Sequence, residues 1–349
     1  MTTRRMAAGY LLAALVGAGV TFGPAMTDAS ASDRPASAGP LVTGPEAMLV
    51  KSLQEIADSR IDSALSGIEQ VLQANPNFRL AHLIKGDMLL ARTRPISDMG
   101  ETAGVGQQQI SDLRDEARAR VRRHLEPVPS DRVPKYLLQM QPEQKYAAIA
   151  DTGKSRLYIY QNLGGKVRYV ADYYISSGKN GSRKLKEGDK KTPIGVYFIT
   201  ANVPREKLTD FYGGKAFPIN YPNEWDKRHG RSGYGIWLHG TPSDTFSRAP
   251  RASDGCVVLS NQDLDRLSAK LQIGITPVII SDGIEWVKPT EAEIMREKLA
   301  QHLENWRRDW ARVTMSKLSY NMRHFLFYFI RFGFRCLFLE RHWMASPYP

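Results

Sequence analysis

Cysteine is nearly absent from this sequence: Cys256 and Cys336 are the only two in 349 residues. A disulfide framework, the usual staple of small exported domains, is therefore not what holds the chain together. A cysteine-based metal centre is not expected either, because one cysteine with one nearby histidine supplies too few ligands. Long apolar runs are also lacking. The stretch from Met6 to Val20 is broken by glycines and is too short to span a bilayer. Acidic residues are in deficit, 36 Asp and Glu against 48 Lys and Arg, for a formal net charge of +12. That balance attracts anionic partners, whether nucleic acid, a membrane surface or an acidic wall polymer, without choosing among them.

The N-terminus narrows the choice. Arg4 and Arg5 form a positive start, the short apolar stretch follows, and Ala29-Ser30-Ala31 is a small-residue cleavage site. Residues 1–31 read as a secretory signal peptide. Export removes nucleic acid from the expected partners. It also makes Cys256 conspicuous, because exported chains ordinarily keep their cysteines in pairs.

Several domains are expected, α first and then mainly β. Residues 32–45 are rich in Ser, Ala, Pro and Gly and read as a linker. Residues 46–125 are helical in pattern, and Ala64, Ile68, Val71 and Pro76 resemble the spacing of a tetratricopeptide repeat, with Gly86 at the small-residue position of the next unit. The match is about one and a half repeats, short of a stable array, so a generic helical bundle stays open. The helix "QQQISDLRDEARARVRRHLE" carries charge on most faces and is expected to lie in solvent. Four prolines in 126–143 mark a second linker. From 144 to 288 the runs "RLYIY", "VRYVADYYI", "GVYFIT", "GIWLHG", "CVVLS" and "PVIIS" read as short strands. One helix, "NQDLDRLSAKL", interrupts them, capped by Ser260 or Asn261. A helix over 289–313 follows. The tail at 314–349 is atypical: aromatics crowd together and acidic residues nearly vanish. It reads as the product of a shifted reading frame.

The chemistry centres on "GIWLHGTPSDTFSRAPRASDGCVVLSN", residues 235–261. His239 ends one strand-like run and Cys256 begins another, 17 residues on. Two strands joined by such a loop can lie side by side, which brings an imidazole to a thiol and raises its thiolate share. Gly255 permits close approach of a backbone or substrate, and amides around Gly255 and Cys256 can stabilise an oxyanion. A buried cysteine beside a structural histidine remains the alternative on spacing alone. Tyr221, Asn223, Trp225, Asp226 and Arg228 precede the first strand and either line a cleft or form a structural loop. Arg248 and Arg251 lie between His239 and Cys256, positioned to meet carboxylates or to be solvated. His229 has no partner in sequence.

The pattern "HG…SDGCVVLSN" resembles the signature of the L,D-transpeptidases, the YkuD-type catalytic domain of bacterial cell-wall enzymes. The upstream "ISSGKNGSRKLKEGDKKTPIGVYFIT" is similar to the family's glycine-rich turn before Thr-Pro-x-Gly and an aromatic strand, here Thr192, Pro193, Gly195, Tyr197 and Phe198. The resemblance covers about residues 145–285. It implies a YkuD-type β-rich domain that needs no cofactor and acts in the periplasm on peptidoglycan stem peptides. It also implies Cys256 as nucleophile, His239 as base, and Ser253, Asp254 and Gly255 shaping the site. Tyr221, Arg248 and Arg251 are the candidate substrate contacts. The acyl acceptor is a neighbouring stem or a wall-anchored protein, and the helical region is a candidate docking module for wall-assembly partners. Two positions depart from the family pattern: Asp254 stands where histidine is usual, and Val258 where Arg or Asn is common. A hydrolytic carboxypeptidase or endopeptidase, and an inactive wall-binding scaffold, are the other readings.

Overall fold

The structure, a computed structural model, describes residues 44–101 and 106–311. The expected signal peptide, most of the first linker and the atypical tail lie outside the described residues. The N-terminal layer follows from apolar spacing. α1 (Pro45–Ala57) starts on a proline whose missing N–H costs nothing in a first turn. It buries Leu49, Leu53 and Ile56 on one face. α2 (Ile61–Ala74) turns Ala64, Ile68 and Val71 inward, and α3 (Arg79–Leu90) turns Leu80, Ala81, Ile84 and Met88 inward. These pack with Phe78, Ile96 and Met99 into one core. The tight approach lies at Gly67, where an added Cβ would stand 2.4 Å from Ser52 Oγ; at Gly86 nothing lies within 4 Å.

The fourth helix, α4 (Gln107–Leu125), overturns one expectation. Its charged residues do not all face solvent: Glu116 and Arg120 are each 2 % exposed. The reason is pairing. Arg120 lies between Glu46 and Glu116, and its guanidinium stacks over the Tyr174 ring at 4.1 Å. Arg123 bridges Glu46 at 2.9 Å and Asp172 at 2.6 Å, and Arg156 reaches the same Asp172 carboxylate. Burial pushes Glu46 and Asp172 up, but the arginines outweigh it and hold both below the usual carboxylate range. Such a network adds little over an apolar core, yet breaking one partner leaves a buried charge, at a cost of about 3–5 kcal/mol.

The β-rich region is built around a five-stranded sheet in the order β4 (Lys166–Tyr174), β3 (Arg156–Leu163), β2 (Tyr146–Asp151), β11 (Pro277–Ser281), β6 (Gly195–Phe198). Only the β2–β11 contact is parallel. Strand alternation divides β2 between two cores. Ala148 and Ala150 join Leu157, Ile159, Val278 and Ile280 on the inner face. Ala147 and Ile149 join Tyr158, Tyr160 and Ile279 on the outer. The outer face is covered from the proline-rich stretch by Leu137 and Met140, and by Trp286, which meets Tyr158 edge-on. There β1 (Val133–Pro134) pairs with β12 (Trp286–Val287).

On the inner face lies a second sheet, β10 (Val257–Val258), β8 (Trp237–His239) and β7 (Ala216–Pro218), with Leu238, Val257 and Phe217 turned into the shared core. A two-stranded parallel pair, β5 (Ser177–Gly178) with β9 (Arg251–Ser253), flanks it. α5 (Glu224–Arg228) opens on an Asn223–Asp226 capping box. α6 (Asn261–Ser268) is capped by the Ser260 hydroxyl and buries Leu264 and Leu267. α7 (Pro289–Ala311) follows the last strand. A helical N-terminal region, a β-rich domain and a C-terminal helix are the expected class. Among the described residues no helix is long and apolar enough to cross a membrane.

The two regions share a polar and aromatic seam. Phe246, in the loop after β8, packs on Phe78 at 4.3 Å between ring centroids. Ser247 Oγ donates to Glu116 Oε1 at 2.6 Å, Asn77 Nδ2 to the Ser243 carbonyl at 3.1 Å, and Gln262 Nε2 to Asn75 Oδ1 at 2.8 Å.

Candidate active site

Strand pairing sets His239 at the end of one strand and Cys256 just before its neighbour. β8 and β10 run parallel, with Leu238 opposite Val257 and His239 opposite Val258. Leu238 and Val257 point into the core, so alternation puts Trp237, His239 and Cys256 on the opposite face. Cys256 precedes β10 by one residue, which sets it diagonally across from His239.

The imidazole is 1 % exposed, and Nδ1 lies 2.7 Å from the Gly240 carbonyl. A carbonyl only accepts, so Nδ1 carries the hydrogen and Nε2 holds the lone pair. Burial drives the His239 pKa down to about 4; the Gly240 bond resists this and the Arg248 charge assists it. At neutral pH the ring is therefore uncharged. The turn beyond it is clamped by Asn261, whose Nδ2 donates to the Thr241 carbonyl at 2.9 Å while its Oδ1 accepts the Thr241 amide at 3.1 Å.

The thiol is half-buried, and Sγ donates to the Gly235 carbonyl at 3.3 Å. Burial pushes the Cys256 thiol up, the Trp237 amide and Arg248 pull it down, and Asp254 raises it again. Thiol and imidazole thus both rest uncharged. That state suits proton transfer during attack rather than a standing thiolate–imidazolium pair.

The turn before Cys256 is fixed by Ser253, which is buried. Its Oγ accepts the Gly255 amide at 3.1 Å and donates to the Cys256 carbonyl at 2.6 Å. The Gly255 amide, expected to be available for an oxyanion, is therefore already engaged. Gly255 has φ 127°, and a Cβ there would meet the Lys191 carbonyl at 2.7 Å. Lys191 belongs to a loop pinned by Asp189, which accepts the amides of Leu185, Lys186 and Lys191 and the ammonium of buried Lys184.

Asp254 is exposed and pairs with Lys179 at 3.2 Å; His239 is oriented by the Gly240 carbonyl instead. Replacing Asp254 with Asn removes a charge that raises the thiol, so Cys256 alkylation is expected to speed up about twofold to threefold near neutral pH, a modest effect because exposed charges are screened. The pH dependence of iodoacetamide labelling checks this. An unchanged profile with a large loss of substrate affinity would make Asp254 a substrate contact.

Other candidates separate. Arg248 reaches the site: its guanidinium lies 4.5 Å from the Phe211 ring centroid and its charge acts on both Cys256 and His239. Arg251 is exposed on β9. Tyr221 does not line a cleft. It is 5 % exposed, packs edge-on against Tyr197 and donates its hydroxyl to the Ser232 carbonyl, because its ring completes the inner core. Asp226 is buried and accepts Arg231, while Trp225 stacks on His229. An aromatic lip that sequence reasoning missed surrounds His239: Tyr212 stands edge-on at 5.1 Å, Phe211 lies at 6.0 Å, and Trp237 packs on Tyr212 at 4.7 Å. Its only sequence signal is the dipeptide Phe211-Tyr212 in an otherwise polar loop. Among the described residues no group of three or more His, Cys, Asp or Glu side chains could hold a metal ion.

Residues 145–280 match the family model described as YkuD, L,D-transpeptidase catalytic domain. YafK of Escherichia coli strain K12, provisionally named an L,D-transpeptidase, is 27 % identical over 155 residues, 43 % of this chain and 57 % of YafK. The chain thus spans little more than half the length of that relative. Among solved structures, Bd1075 of Bdellovibrio bacteriovorus is similar at 32 % identity over 52 % of this chain and 64 % of that one, with a TM-score of 0.46. The helical cell shape determining protein Pgp2 of Campylobacter jejuni is similar at 28 % identity over 48 % and 62 %, with a TM-score of 0.39.

Proposed function

We propose, from the match of residues 145–280 to the YkuD-type L,D-transpeptidase catalytic domain, that the protein is a cell-wall acyltransferase that works through a thioester on Cys256. The observation that carries this is the hydrogen bond from His239 Nδ1 to the Gly240 carbonyl, which leaves Nε2 as the ring's acceptor, on the same sheet face as the thiol. As Sγ attacks the carbonyl of the third residue of a stem tetrapeptide, the thiol proton passes to His239 Nε2. The imidazolium then protonates the leaving amine, D-alanine departs, and the thioester remains. An acceptor amine, from a neighbouring stem or a wall-anchored protein, loses its proton to His239, displaces Sγ and forms the new amide. Arg248 supplies the positive charge beside the developing anion. The basic net charge favours an anionic wall, and a periplasmic location follows from this substrate.

The test is product analysis. Purified protein incubated with a disaccharide-tetrapeptide is expected to release D-alanine and give a product joining two stems. D-alanine release with only trimmed tripeptide would replace transfer by hydrolysis. No release, together with no covalent carbapenem adduct on Cys256, would leave an inactive scaffold.

A further inference from the structure

Three consecutive residues of the loop between His239 and Cys256 are each gripped, Phe246 and Ser247 from the helical region and Arg248 from the end of β4, where Arg120 of α4 stacks. The Phe246 ring lies on Phe78. The Ser247 hydroxyl donates to Glu116. The Arg248 carbonyl accepts the Tyr174 hydroxyl at 2.8 Å, and the Tyr174 ring is the surface on which Arg120 stacks. Glu116 Oε1 meets Arg120 Nη2 at 2.8 Å and Ser247 Oγ at 2.6 Å, so the α4 charges and the loop share one oxygen. Beyond these grips the Arg248 side chain runs the other way. Its guanidinium lies over Phe211 and its Nη2 donates to the Phe211 carbonyl at 3.3 Å, beside His239 and within electrostatic reach of Cys256.

We propose that the helical region is a working part of the catalytic site: Glu116 and Arg120 of α4, together with Tyr174 of β4 on which Arg120 stacks, form a strut that holds the 246–248 segment and so keeps the Arg248 guanidinium against the Cys256–His239 face. These are positioning residues, acting through Arg248. Part-burial works against the Arg248 charge, so a free loop would let that side chain swing to water. Fastening the Ser247 hydroxyl before it and its own carbonyl after it removes that freedom. The ion pairs of α4 thereby have a use that a helix serving only to dock a partner would not need. The inference rests on Cys256 being the nucleophile, but it does not depend on what the thioester is passed to.

The test uses the full-length chain and reads the thiol directly. Iodoacetamide labelling of Cys256, followed on its own peptide by mass spectrometry from about pH 6 to about pH 10, reports the thiolate fraction. Tyr174→Phe keeps the ring under Arg120 and removes only the hydroxyl; Ser247→Ala removes only the link to Glu116. Each is expected to slow labelling at neutral pH by about twofold to fivefold and to move the profile upward, as Arg248→Gln does more strongly. Combined with Arg248→Gln, neither is expected to slow it further, because the strut acts through that side chain. Strut variants that melt at a lower temperature while keeping the wild-type profile would overturn the proposal, as would losses that add to that of Arg248→Gln. Labelling needs no wall substrate, so a protein that trims tetrapeptides without joining stems but has a strut-dependent profile would sink the transferase reading and leave this one standing.

Discussion

Cys256→Ala is expected to leave a folded protein that releases no D-alanine from a tetrapeptide and takes up no carbapenem. The side chain lies outside the hydrophobic clusters, and its sulfur donates to the Gly235 carbonyl and takes a weak bond from the Trp237 amide. Losing these weak sulfur bonds costs about 1 kcal/mol. On the chemical side the loss is complete. Ser253, the hydroxyl nearest in sequence, is committed to the Gly255 amide and the Cys256 carbonyl, and cannot substitute as nucleophile without dismantling the turn. Intact-protein mass after carbapenem treatment and a coupled D-alanine assay, with a thermal melt as control, check the expectation. Residual release by the alanine variant would refute Cys256 as nucleophile.

His239→Gln is expected to cost about 10²–10⁴ in turnover, the range for a lost general base. Glutamine can still donate to the Gly240 carbonyl, so the loss tests proton transfer rather than a collapsed pocket. The same variant carries a stability signature. The folded pKa is about 4, against a reference value of 6.5. Between those values the unfolded chain binds a proton that the folded chain refuses, so this contribution to stability is present above about pH 6.5 and is lost as pH falls toward 4. The difference amounts to about 3 kcal/mol. Urea midpoints of the wild type should fall across that window, and those of His239→Gln should fall less. A near-normal rate in the glutamine variant would move the base elsewhere. Parallel midpoints would mean that His239 is not buried neutral.

The part of this molecule that sequence reasoning reaches is the part whose signal is local. His239 and Cys256 stand out because each ends or precedes a short β-branched or aromatic run, and such runs pair. α6 reads easily because Ser260 caps it and Leu264 and Leu267 share a face. α4 misleads because a charged helix looks the same whether its partners are water or Glu46 and Asp172, and those partners lie far away in sequence. β2 was absent from the expected strands: "YAAIAD" is alanine-rich, a composition poor in strand preference. It becomes a strand because it is buried on both faces between β3 and β11. Tyr221 looked like a cleft residue from its turn-rich neighbours, and the inner core takes its ring instead. Arg248 and Arg251 were indistinguishable in sequence. What separates them is the seam, which grips the segment carrying Arg248 and leaves Arg251 exposed at the start of β9.

The place of β11 also orders the life of the chain before it is folded. That strand lies between β2 and β6 and hydrogen-bonds to both, yet it is the last of the five in sequence. Until Pro277–Ser281 has emerged, β4, β3 and β2 can form only a three-stranded meander with an open edge, and β6 has no neighbour in that sheet. The β2–β11 pairing spans well over a hundred residues of chain, and such long-range closure is intrinsically slow. The nascent domain therefore presents the bare rim of an apolar strand for the whole interval in which β6 to β10 are being delivered. Throughout that interval it is open to mispairing with another copy.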